Sequence, residues 1–177
     1  MKLAITCTNM DIRKGAPIIF RGNLEDCFKK IKKIGYSGVE VHVHDSSLIN
    51  RKELKKLLDK YELELTSIGT GSAYGKEYIF ITSEDKKIRE RAIEVLKEHI
   101  ITASEYKHAV VIIGLIKGKV SDCSNREIYE HNLIESLKLC AGIAEKYNVI
   151  LGIEIINRYE SDYLNNIQEG LELLDKV

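Results

Sequence analysis

The sequence predicts an α/β protein built on a parallel sheet. Three observations lead there. Short β-branched or apolar runs alternate with long amphipathic ones, and the long runs carry apolar residues at helical spacing. The hydrophobic fraction is 44% and Pro17 is the only proline, so a core can form and its elements run uninterrupted.

The elements follow in order. A first strand is expected over Leu3 to Thr6. The first helix places Leu24, Cys27, Phe28, Ile31 and Ile34 on one face, with Asn23 as N-cap and Gly35 as stop signal. A second strand runs from Val39 to His44. The second helix opens at N-R-K-E, where Asn50 caps and Glu53 stands three residues on; Leu54, Leu57, Leu58 and Tyr61 form its buried stripe. Leu63 to Ile68 make a third strand. The third helix is predicted from Ser83 past Ile100, burying Ile88, Ala92, Val95, Leu96 and either His99 or Ile100. Ala109 to Ile113 form the fourth strand. A helix with Ile134, Leu137, Ala141, Ala144 and Tyr147 in line then follows Asn125. The fifth strand covers Ile150 to Ile155, and a last helix begins near Asn165 or Asn166.

Composition excludes several function classes. With 27 basic and 27 acidic side chains the formal net charge is zero, against a broadly cationic nucleic-acid binder and against an acidic tail. The longest apolar run, Ala109 to Ile116, is far short of the roughly twenty residues that a spanning helix needs. The apolar stretch in M-K-L-A-I-T-C is too short for a signal peptide. Cys7, Cys27, Cys123 and Cys140 show no C-x-x-C spacing, which suits reduced thiols in the cytoplasm.

Two closures fit strict strand–helix alternation: an open doubly wound sheet and an incomplete (β/α)8 barrel. No strand is followed by G-x-G-x-x-G or a Walker loop, and G-T-G-S-A-Y after the third strand is too far from a phosphate fingerprint to count. A complete barrel takes about 250 residues. Five units in 177 residues leave it short.

Polar residues at the strand ends mark the chemistry. In V-E-V-H-V-H-D the alternation puts Val39, Val41 and Val43 on one face and Glu40, His42 and His44 on the other. Three ionisable groups on one face of a covered strand are costly unless that face lines a polar cavity. His42 and His44 are therefore candidates for a pocket wall; the alternative is that neighbouring carboxylates or backbone satisfy both. Glu154 lies within the apolar run I-L-G-I-E-I-I, where a carboxylate needs a cation, donors or a raised pKa. It is read either as an ion-pair partner of Arg158 or as a metal ligand or acid/base group at a barrel mouth. The lysines at 29, 30, 32 and 33 read as a solvated face.

The run E-I-I-N-R-Y-E-S-D-Y-L-N-N resembles the fifth-strand motif of ketose 3-epimerases of the D-tagatose/D-psicose type. It is also similar to the wider sugar-phosphate isomerase/epimerase family with the xylose-isomerase-like barrel. G-Y-S-G-V-E-V, S-I-G-T-G-S-A-Y, R-E-R-A-I-E-V-L-K-E-H-I and V-V-I-I-G-L-I-K-G-K follow the family's order upstream. The resemblance implies that residues 1–177 form one domain, the N-terminal part of an incomplete (β/α)8 TIM barrel of an isomerase. It implies Glu154 as a metal ligand that also exchanges the substrate proton, and Glu160 as a hydrogen-bond partner of the sugar. Gly69, Gly114 and Leu115 correspond to loops bordering the sugar, and His42 and His44 join them as wall candidates.

The implied cofactor is a divalent metal, most often Mn2+, and the implied chemistry is proton transfer beside a ketose carbonyl through a cis-enediolate. The family's other ligands and its second glutamate lie on three further strands, so this chain is expected to be inactive alone. A small sugar or sugar phosphate is the expected partner, with neither nucleic acid nor membrane. Open edges at the first and fifth strands point to a homo-oligomer or marginal stability. Two rival readings are a non-catalytic half-barrel binding module and an endonuclease IV-like apurinic-site nuclease. H-D-S-S-L-I-N is similar to a metal-binding segment of the latter.

Overall fold

The computed structural model describes residues 2–11 and 16–177. Strands β1 (Ala4–Thr8), β2 (Phe20–Arg21), β3 (Gly38–His42), β4 (Glu64–Gly69), β5 (Val110–Ile113) and β6 (Ile150–Ile153) form one sheet in the order β2-β1-β3-β4-β5-β6. Every pairing is parallel. Among the described residues the sheet does not close on itself, and β2 and β6 are its edges. The first strand is not wholly open as expected, because β2 pairs with its last two residues, Cys7 and Thr8.

The helices are α1 (Leu24–Lys33), α2 (Arg51–Tyr61), α3 (Gly71–Glu77), α4 (Lys86–Ala103), α5 (Arg126–Tyr147) and α6 (Ile167–Leu174). None is long and apolar enough to cross a membrane. Local chemistry sets their ends. The Asn23 side chain accepts hydrogen bonds from the Glu25 and Asp26 amides, and Gly35 leaves α1 at φ +95°. Asn50, Asn125 and Asn166 cap α2, α5 and α6 in the same manner. Helix α4 starts later than predicted, because Asp85, not Ser83, accepts from the first turn.

Leu24, Cys27, Phe28 and Ile31 are buried, as the spacing predicts, but Ile34, expected on the same face, is the C-cap and lies exposed; both His99 and Ile100 are fully buried. Val39 and Val41 of β3 join these helix side chains in one cluster with Ile68, Val95, Leu96 and Val111. Each such side chain stabilises the fold by about 1.5–3 kcal/mol relative to exposure.

One irregularity shapes the inner face of the sheet. Between β3 and β4 the register steps from Val39↔Leu65 to Glu40↔Ser67, leaving Thr66 as an extra residue. Its hydroxyl donates to the Val39 carbonyl at 3.0 Å. Strict alternation would send Leu65 and Ile68 to opposite faces; with the bulge both are buried in the core. The same step puts Ser67 opposite Glu40 and Gly69 opposite His42.

Two strands end earlier than predicted. β3 stops at His42 because Asp45 turns the chain, its carboxylate accepting from the Ser47 amide at 2.8 Å at the head of a short 3-10 turn. β6 stops at Ile153, the last residue in register with β5.

Candidate active site at the strand ends

A cavity of about 850 Å³ lies at the C-terminal ends of the strands, where the catalytic residues of (β/α)8 enzymes sit. Thr6 of β1, Glu40 and His42 of β3, Gly69 of β4, and Glu154 and Glu160 after β6 all line it. The open lumen that keeps these ionisable groups wet is the polar cavity that the pattern of β3 required.

Glu40 and His42 are coupled. His42 Nε2 lies 2.6 Å from Glu40 Oε1, and the Ser67 hydroxyl donates to Glu40 Oε2 at 2.6 Å. Desolvation pushes the Glu40 carboxyl up, but the hydrogen bonds from His42 and Ser67 outweigh it and hold the pKa below the usual value. The imidazole rests on Gly69, where any Cβ would collide with three ring atoms. Glycine at 69 is thus required by close approach.

Glu154 extends β6 by one residue, its amide donating to the Ile113 carbonyl at 3.1 Å. Its carboxylate lies on Gly114, so closely that a Cβ there would collide with Oε2. One side of the carboxylate is open to the cavity. The surrounding protein nevertheless desolvates it, which is the main reason that its pKa is raised; Lys117 opposes that shift and Glu40 adds to it. Lys117 is fully buried, donates to the Gly114 carbonyl at 3.3 Å, and is pushed down to about 8 by burial. Arg158 is not the partner of Glu154: its guanidinium lies over the Tyr159 ring, 5.5 Å from the centroid.

The cavity therefore gathers Glu154, Glu160, Gly69, Leu115 and His42, with Gly114 directly under Glu154. Glu160 also takes a bond from the Asn157 side-chain amide at 3.3 Å. His44 does not belong to this group. Once the chain turns at Asp45, strand alternation no longer directs it; His44 is buried with Nε2 3.3 Å from Glu77 Oε1. The expectation that it shares the wall with Glu40 and His42 is corrected. The carboxylate partners foreseen for both histidines are Glu40 and Glu77.

Sequence reasoning passed over Glu40 as a site residue, although it shares the alternation that singled out His42. It also left out Ser72, Tyr74, Lys76 and Tyr78, which line the cavity from α3 and its end. The G-T-G-S-A-Y segment, weighed as a phosphate loop and as one of the resembling stretches but not for side chains, was the signal for Ser72 and Tyr74.

The residues do not assemble a metal centre on their own. Among the described residues no group of three or more His, Cys, Asp or Glu is placed to hold an ion. Glu40 and His42 are committed to each other, so a divalent ion at Glu154 would need ligands from outside this set.

Comparison with known proteins agrees with the fold. Residues 28–177 match the family described as xylose isomerase-like TIM barrel. A probable ketose 3-epimerase of Synechocystis sp. is 29% identical over 161 residues, covering 89% of this chain and 54% of the relative. An L-ribulose 3-epimerase of Methylomonas sp. is 27% identical over 148 residues, covering 82% and 50%. Among solved structures, D-psicose 3-epimerase with D-tagatose from Clostridium cellulolyticum superposes with a TM-score of 0.76 at 19% identity, over 99% of this chain and 60% of that one. The chain thus spans about half the length of the relatives that it matches in sequence.

Proposed function

Because the chain belongs to the xylose isomerase-like TIM-barrel family, we propose that its cavity is the N-terminal share of a ketose 3-epimerase site. Residues 1–177 would form one unit of that barrel. Glu154 is the base that exchanges the proton on the carbon beside the ketose carbonyl. The observation that carries this reading is the placement of Glu154: a carboxylate at a strand end, seated on Gly114, facing a polar cavity, with its pKa raised by desolvation. A base whose pKa moves toward the working pH both accepts and returns a proton efficiently.

The Glu154 carboxylate takes the proton and leaves an enediolate on the sugar. Glu160 and the glycine-lined wall around Gly69 position the hydroxyls. Inversion needs a second acid–base group on the opposite face, which the family resemblance assigns to a strand after β6. A divalent ion, manganese being the one to test, would polarise the carbonyl when bound.

The experiment is hydrogen–deuterium exchange into a free ketohexose in D2O with manganese present, read by NMR for this chain and its Glu154→Gln variant. Chemical-shift mapping of the cavity by the same sugar runs in parallel. Perturbation of Gly69 and Glu160 by the sugar is expected in the chain alone, and Glu154-dependent exchange at the carbon beside the carbonyl once the missing strands are supplied in trans. Exchange that is indifferent to the substitution, or a cavity untouched by saturating sugar, overturns the reading.

The lack of a three-ligand set among the described residues favours one second reading, a non-catalytic half-barrel that binds the sugar. Under it, the cavity is perturbed but no exchange occurs even when the missing strands are supplied in trans.

A further inference from the structure

Resting on the reading that the cavity takes a ketose, we propose that Ser67, Glu40 and His42 form a relay that fixes His42 Nδ1 as the acceptor for one sugar hydroxyl. His42 is then a specificity-determining group of the cavity wall. Ser67 and Glu40 are positioning residues that act through it.

The assignment follows from counting donors and acceptors. Glu40 lines the cavity, yet both its oxygens are engaged within the protein. Oε1 meets His42 Nε2 at 2.6 Å, and Oε2 accepts from the Ser67 hydroxyl at 2.6 Å. The same bonds hold its pKa below the usual value, so it stands as a carboxylate. A carboxylate only accepts, so the proton of the pair is on Nε2. The neutral imidazole then carries its lone pair on Nδ1. Nδ1 makes no hydrogen bond among the described residues, and the ring lines the cavity.

His44 shows that pairing with a carboxylate is not enough. Its Nε2 also meets one, Glu77, at 3.3 Å, but its Nδ1 is shut away from solvent without a partner and the residue stands outside the cavity. His42 Nδ1 is not shut away in that manner.

Tertiary structure assembles the relay. The bulge after Val39 brings Ser67 opposite Glu40, and Gly69, having no Cβ, lets the imidazole settle against the backbone of β4. The charge on Glu40 polarises the Nε2–H bond and strengthens Nδ1 as an acceptor. A ligand that places a hydroxyl there satisfies it; a ligand without one leaves a desolvated acceptor unpaired and is rejected.

The test is long-range 1H–15N NMR of the histidine rings in the labelled chain at about pH 8, above the ordinary histidine range. In the free chain His42 is expected to carry its proton on Nε2 and none on Nδ1. Titration with a free ketohexose is expected to move the Nδ1 resonance. Calorimetry then compares affinities for the same sugar. His42→Phe keeps a ring and removes the acceptor, and is expected to bind about tenfold more weakly. Glu40→Gln introduces an amide that can also donate; part of its molecules are expected to carry the proton on Nδ1, with weaker sugar binding. A melting curve checks the fold of each variant. A proton on Nδ1 in the parent, or an Nδ1 unmoved while Gly69 and Glu160 respond to the sugar, overturns the relay and leaves the ketose reading standing. A folded His42→Phe variant with the parent's affinity does the same. No response of any cavity residue to saturating sugar overturns both.

Discussion

Replacing Gly69 with alanine tests the geometry on which the site depends. An added Cβ would stand 2.5 Å from Nε2 and 2.6 Å from Nδ1 of His42. Those atoms belong to a rigid ring, so no flexible tip can yield, and the whole imidazole must turn away from Glu40. Overpacking of this kind costs about 1–3 kcal/mol. Loss of the Glu40–His42 contact adds on the order of 1 kcal/mol, a modest figure because the side chains are 22% and 24% exposed. Gly69→Ala is thus expected to destabilise the fold by about 2–4 kcal/mol. Urea unfolding followed by circular dichroism measures it, since a change in midpoint at constant slope is a change in stability. Ring 15N shifts of His42 report whether the imidazole has left Glu40. A variant within about 0.5 kcal/mol of the parent, with His42 shifts unmoved, would refute the close-approach argument.

Gly142 supplies the contrast: it lies inside α5, and a Cβ added there would meet nothing within 4 Å, so Gly142→Ala should raise stability by about 1 kcal/mol in the same assay. His99 is fully buried with its Nδ1 2.6 Å from the Ser46 hydroxyl, and burial lowers its pKa to about 4. The unfolded chain therefore binds a proton near pH 6.5 that the folded chain refuses until about pH 4. Stability is full above this window and falls by up to about 3 kcal/mol on acidification through it; a pH-independent urea midpoint between about pH 7.5 and 5, or a His99→Gln variant with the parent's slope, would count against the assignment. Ser67→Ala removes one of the two bonds that hold Glu40 ionised. The Glu40 pKa, followed by carboxyl 13C shifts, should rise, and the stability that this carboxylate contributes should be lost at higher pH as acid is added; an unchanged titration would remove Ser67 from the site.

Much of this protein could be read from the chain because the relevant physics is local. Helix caps at Asn23, Asn50 and Asn125 depend on a side chain and an amide two or three residues away. The buried faces of α1 and α2 follow from spacing except at Ile34, which the end of α1 leaves exposed, and Glu154 stood out because a lone carboxylate in an apolar strand demands an explanation. Other features depend on partners distant in sequence. The bulge at Thr66 was invisible in E-L-T-S-I-G, because it exists only in the register of β4 against β3; it decides that Leu65 and Ile68 share the core and that Ser67 meets Glu40. Helix α3 contains Gly71 and Gly75 and carries little intrinsic helical preference. It is anchored by tertiary contacts: Ala73 is fully buried, and the preceding Thr70 hydroxyl donates to the Ile112 carbonyl at 2.6 Å. His44 was misplaced because strand alternation holds only while the ladder continues. Its direction was set by the turn at Asp45 and by Glu77 on another element, a distance in sequence over which periodicity carries no information.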